Sequence, residues 1–334
     1  MLLSTGQESG VLRRRGSGAV AVLLLLIGVL FGPAAYAAPG AESVEVRVAP
    51  RSDGSHVTYY LLEKASQAPS EVLLLVLQGS DCNSVLNNES ILTGYRNVWP
   101  QADLLLVEKY GIDHSLAYSA EPERADCPAD YVQHDSPGQR LDDLQLVLET
   151  VRQQGNYHHY VVLGGSEGAV IANLLSARVR FLSATVAFNG GGRFFLDDVL
   201  HSIAAEHDSA EAAEGSLQEF RGFAAFVRNS EPVELNVSGH GFDWWQQMLS
   251  LDQLNVLRGV NSPVLLLQGG QDRSVAPAKV DELVAAVRQS GRTNVDYRVY
   301  PTLDHHFLDA QGNSKVDSVV ADIRAWLGET LTGG

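Results

Sequence analysis

Five short apolar runs, at Val72–Leu77, 104–107, 160–163, Ala184–Phe188 and 264–267, constrain the fold more than any other feature of this chain. They are continuous rather than alternating, the pattern of strands buried on both faces, and such strands belong to a parallel sheet. Helical patterns lie between them: Leu141, Leu144, Leu148 and Val151 fall on one face, and Val280, Leu283, Val284 and Val287 on another. The sheet is therefore expected to be covered on both sides. Two β-rich runs, 44–48 and His56–Leu62, read as an opening antiparallel hairpin, and a strand at Val295–Tyr300 and a helix at 316–327 close the chain. Together they predict an α/β fold with a mixed, mostly parallel eight-stranded sheet rather than a barrel.

One stretch breaks the rhythm. Gly190, Gly191 and Gly192 are followed by about seventy residues with helical patterning and no strand before Val264. This predicts a helical cap at 192–261 inserted between core segments 38–191 and 262–334. Trp244 and Trp245 fall within the cap, where each either lines a substrate pocket or packs its helix.

Composition narrows the function. A net charge of -16, with Lys and Arg scattered, lacks the basic patch that nucleic-acid binding requires. At the amino terminus, Arg13, Arg14 and Arg15 precede an apolar run at 19–31 and the small-residue pattern Ala35-Tyr36-Ala37. That pattern predicts an export signal over 1–37, cleaved to give a periplasmic or secreted protein. The alternative is a retained anchor, but the run is shorter than the roughly 20 residues of a spanning helix. With only two cysteines, Cys82 and Cys127, an exported chain is expected to form one bridge. No C-x-x-C or H-E-x-x-H spacing occurs, so neither a metal nor another cofactor is expected.

The chemistry centres on Gly164-Gly165-Ser166-Glu167-Gly168, which follows the run 160–163 and opens a helical segment. Strand, G-x-S-x-G and helix in that order form a sharp turn that projects the serine hydroxyl from a sheet edge. In this the chain resembles the α/β-hydrolase superfamily, whose triad runs Ser, acid, His along the sequence. After 264–267, Gly269-Gly270-Gln271-Asp272-Arg273-Ser274-Val275 resembles that family's acid loop, and after 295–300, Asp304-His305-His306-Phe307 resembles the histidine loop of dienelactone-hydrolase-like and prolyl-peptidase-like members.

The resemblance implies Ser166 as nucleophile, His305 as base and Asp272 as the acid that orients the histidine. All three directly follow apolar strands, the edge where active sites of open α/β sheets form. His306 stays open as an alternative base and Asp304 as an alternative acid. By the same resemblance, the backbone N–H groups of Glu167 and Ser80 form the oxyanion hole, although Gln78 stands where the family commonly has histidine. In the family's strand order, a Cys82–Cys127 bridge fastens two active-site loops together. The implied activity is acyl transfer to water, with a small-molecule carboxylic ester as first-choice substrate. A small serine peptidase is the nearest rival, and a non-catalytic binding protein on the same scaffold a third reading.

Overall fold

A computed structural model describes residues 44–64, 69–121, 124–155 and 157–332. The expected export signal at 1–37 lies outside the described residues. Eight strands, β1 (Glu45–Pro50), β2 (His56–Leu62), β3 (Val72–Leu77), β4 (Asp103–Val107), β5 (His159–Gly165), β6 (Ala184–Phe188), β7 (Val264–Gly269) and β8 (Val295–Tyr300), form one open sheet. Their spatial order is β1, β2, β4, β3, β5, β6, β7, β8. β1 and β2 pair antiparallel, β2 joins β4 antiparallel, and every later pairing is parallel.

Period-two geometry divides each buried strand between two layers. Val72, Leu74 and Val76 of β3 face a cluster that includes Val319, Val320, Ile323 and Trp326 of the last helix, α9 (Val316–Thr332). Leu73, Leu75 and Leu77 face the opposite layer. That layer is made by α2 (Pro137–Gln154) and α3 (Glu167–Arg178), through Leu144, Val147, Leu148, Val151, Ile171 and Leu175. Fully burying such side chains stabilises by about 1.5–3 kcal/mol each. Farther along the sheet, α8 (Pro277–Gln289) buries Val280, Leu283, Val284 and Val287, the face expected from their spacing.

Between β6 and β7 come α4 (Phe195–Ala205), α5 (Ala210–Asn229), α6 (Phe242–Ser250) and α7 (Gln253–Gly259). The first three share an aromatic-rich cluster seated on Val170 of α3. α7 differs, because Leu254 and Leu257 pack with Val264 and Leu266 of β7 and with α8. Its apolar face thus meets the sheet and α8 rather than the aromatic cluster of α4–α6. Helical periodicity alone cannot separate the two, since it reports an apolar face and not what that face meets. Among the described residues, no helix is long and apolar enough to cross a membrane.

Candidate active site

Ser166 occupies the single position between β5 and α3, with φ 54° and ψ -127°. Residues with side chains rarely adopt this backbone, and it is maintained because the surroundings leave no alternative. A Cβ on Gly164 would run into the backbone of Gly168, and one on Gly168 into the carbonyls of Leu77 and Gln78. The Ser166 N–H donates to the Phe188 carbonyl at 3.0 Å and ties the turn to β6. Glu167 is the first residue of α3, so the helix itself supplies no acceptor for its N–H, and the helix dipole favours negative charge there.

The loop after β3 runs beside this turn. A Cβ built on Gly79 would lie 3.5 Å from Ser166 Cβ and 3.9 Å from its Oγ, which brings the Gly79–Ser80 segment alongside Ser166. Ser80 is exposed, and its carbonyl accepts from the Tyr131 hydroxyl at 3.3 Å.

Asp272 and His305 meet: His305 Nδ1 lies 2.8 Å from Asp272 Oδ2. The same carboxylate accepts Gln268 Nε2 at 3.0 Å on Oδ2, and the N–H groups of Ser274 and Val275 at 2.8 and 3.0 Å on Oδ1. Burial pushes the Asp272 pKa up, but His305 and these N–H donors outweigh it and hold the carboxyl below its ordinary value. It is therefore ionised at neutral pH. The alternatives are occupied otherwise, since Asp304 Oδ1 accepts the N–H groups of His306 and Leu308 within its own turn, and His306 is exposed. Phe307 anchors this turn: it is fully buried at φ 56° against Phe188 and Tyr300. Ser166 Oγ makes no hydrogen bond to His305 in this structure. That contact is often long or misaligned without a substrate.

Several residues around these three escape motif reading. Asn189, at φ 50° directly after β6, accepts the Gly269 N–H at 2.8 Å and donates Nδ2 to the His305 carbonyl at 2.8 Å. It thereby joins the strand ends that carry the acid and the histidine. From the cap, Asp198 accepts the N–H groups of Gly192 and Ala276, both at 2.9 Å, and His201 Nε2 lies 3.0 Å from the Asp272 carbonyl. The readable sign of Asn189 is a short polar residue, of a type that tolerates left-handed backbone, directly after an apolar run.

Trp244 and Trp245 are buried in the cap cluster among Phe195, Phe220 and Phe223, and the indole of Trp244 donates to Glu167 Oε2 at 3.3 Å. Both indoles take part in the packing of α6 against its neighbours. A cleft of roughly 700 Å³ opens between α1 (Ala129–His134) and the cap, lined by Cys127, Val132, Leu235 and Phe242, but none of the triad candidates borders it. Cys82 and Cys127 are disulfide-bonded, joining the loop after β3 to the loop after β4. Among the described residues, no cluster of His, Cys, Asp and Glu could hold a metal ion.

Comparison with known proteins agrees with this architecture. Residues 224–334 match the prolyl oligopeptidase family. Among solved structures, Est1E from Butyrivibrio proteoclasticus superposes with a TM-score of 0.58 at 13% identity, covering 86% of this chain and 98% of that one. A Klebsiella pneumoniae protein described as a dienelactone hydrolase gives 0.55 at 18% identity, covering 87% and 99%. Pyrococcus horikoshii acylaminoacyl peptidase gives 0.56 at 12% identity, over 86% of this chain but 41% of its own length. No curated protein matches in sequence. The fold is that of the α/β-hydrolases.

Proposed function

We propose that this chain is an exported serine hydrolase that cleaves carboxylic esters through an acyl-enzyme. The carrying observation is the 2.8 Å bond between His305 Nδ1 and Asp272 Oδ2, at the sheet edge where Ser166 stands in its strained turn. Ser166 Oγ attacks the ester carbonyl while His305 Nε2 takes its proton. The tetrahedral oxyanion is met by the N–H groups of Glu167 and Ser80. Collapse expels the alcohol, which takes the proton back from His305, and water deprotonated by the same ring then releases the acid. The ionised Asp272 keeps the proton of the neutral ring on Nδ1 and stabilises the imidazolium. The disulfide and the amino-terminal sequence pattern support export.

Ester hydrolysis is favoured because the likeness to the Pyrococcus furiosus esterase Pf2001 spans 92% of that protein, whereas the likeness to the acylaminoacyl peptidase spans 41% of it. Est1E is also seen with ferulic acid bound, which makes aromatic acyl esters sensible members of a first panel. Peptide hydrolysis is a second reading, supported by the family match over 224–334. Purified protein is to be assayed on paired nitrophenyl esters and aminoacyl anilides of the same acyl groups. Faster turnover of the esters is expected. Faster cleavage of the anilides would make the chain a peptidase, and inertness toward both a binding protein.

A further inference from the structure

Beneath the loop after β3 lies a cluster of charged and polar side chains that the triad does not use. Lys109, Tyr131, Asp135, Arg140, Glu167 and His240 are all buried. Burying a charge is costly unless it is paired and hydrogen-bonded, so the pattern of partners is informative. Arg140 Nη1 donates to Glu167 Oε1 at 2.7 Å and Lys109 Nζ lies 3.6 Å from Glu167 Oε2. Each cation also reaches the same backbone segment: Arg140 Nη2 meets the Gln78 carbonyl at 2.8 Å, and Lys109 Nζ meets the Asp81 carbonyl at 2.9 Å. The Tyr131 hydroxyl adds the Ser80 carbonyl at 3.3 Å. Three carbonyls within four residues are thus held from below, and two of the holding cations are themselves held by the side chain that follows the nucleophile.

From this geometry we infer that Lys109 and Arg140, gathered on the Glu167 carboxylate, together with Tyr131 beside them, are positioning residues that set the spacing of the oxyanion hole. The inference rests on the proposed serine hydrolase reading. Glu167 is the hub because its own N–H is one of the two donors, while its carboxylate fixes through two cations the loop whose Ser80 N–H is the other. Burial pushes the Glu167 carboxyl up, but Lys109 and Arg140 outweigh it, and the group stays ionised. The cap joins the same assembly, since Trp244 donates to Glu167 Oε2 and His240 Nδ1 lies 3.3 Å from the Tyr131 hydroxyl. A donor fixed in advance stabilises a developing oxyanion without reorganising during the reaction, whereas a loosened one does not.

Two variants keep the test independent of folding. Tyr131→Phe removes only the hydroxyl, with its contacts to the Ser80 carbonyl and to His240 Nδ1, and Lys109→Met with Asp135→Asn removes a buried cation together with a buried carboxylate. Removing one oxyanion donor outright costs on the order of 100-fold or more in kcat, so a misplaced donor in the double variant should cost roughly tenfold or more, and Tyr131→Phe less. KM should change little, and affinity for a trifluoromethyl ketone, whose adduct carries an oxyanion, should fall in step with kcat/KM. A control of matched stability, Leu257→Ala under α7, should keep wild-type kcat. Wild-type kcat and ketone affinity in both variants, or equal losses in the control, would overturn the clamp while fluorophosphonate labelling of Ser166 left the hydrolase reading standing. Wild-type protein whose Ser166 is not labelled would overturn both.

Discussion

At the scale of single residues, the site is held by side chains in backbone that most residues avoid. Ser166 at φ 54°, Asn189 at φ 50° and Phe307 at φ 56° stand at the ends of β5 and β6 and in the histidine turn. Each left-handed residue costs on the order of 1–3 kcal/mol, and the surrounding bonds offset it. Asn189→Ala deletes an acceptor for Gly269 N–H, which is buried, and a donor to the His305 carbonyl, which is part-buried. It is expected to lose about 2–3 kcal/mol in urea unfolding, with a drop in kcat because the histidine turn is freed. Unchanged kcat in a folded Asn189→Ala protein would deny it a positioning role. Asp272→Asn is expected to cut kcat by roughly 10⁴-fold, through the wrong histidine tautomer, with a much smaller effect on Tm. A rate within a few-fold of wild type would move the acid elsewhere.

At the scale of elements, the cap is bolted to the acid loop, and the bolt titrates. Asp198 on α4 accepts from Gly192 and Ala276, and burial pushes its pKa up from 3.8 to about 7, with Asp197 and Asp272 adding to the rise. A carboxyl with a raised folded-state pKa binds protons more tightly in the native than in the unfolded chain between those values. Its contribution is therefore fully present below pH 3.8 and is lost as pH rises through about 7. The stability difference between wild type and Asp198→Asn should accordingly shift against wild type by up to about 4 kcal/mol from pH 4 to pH 8, read by urea titration. A difference that stays flat would show that Asp198 does not titrate in this window. The disulfide acts on the neighbouring loops. It closes a span of 45 residues, worth about 4 kcal/mol by loop-closure entropy, so Cys82→Ser with Cys127→Ser should lower Tm and moderately lower turnover. Thiol titration of unfolded wild type should find no free thiol, and two reactive thiols in protein from its native compartment would contradict the bridge.

For the whole molecule, the apolar runs and the helical faces between them were enough to predict the sheet and its two covering layers, because burial on both faces leaves its mark in every residue of a strand. The triad candidates were legible for a related reason, as each follows a strand and sits in a short loop whose glycines or aspartate serve a local turn. What α7 packs on was not, since its apolar face looks the same whether it meets the helices before it or β7. Nor was the buried cluster read. Arg140 stands on the same helical row as Leu144 and Leu148, a charge in an apolar stripe, but its partner Glu167 opens α3 and Lys109, which shares that partner, follows β4, so only the fold brings them together. The central claim is that one serine, in one strained turn, is the nucleophile. Mass spectrometry of wild type and Ser166→Ala after reaction with a fluorophosphonate tests it directly. A single adduct on the Ser166 peptide, absent from a Ser166→Ala protein with unchanged circular dichroism and Tm, is the result predicted here; no adduct on the wild type, or one on another serine that persists in the variant, would contradict it.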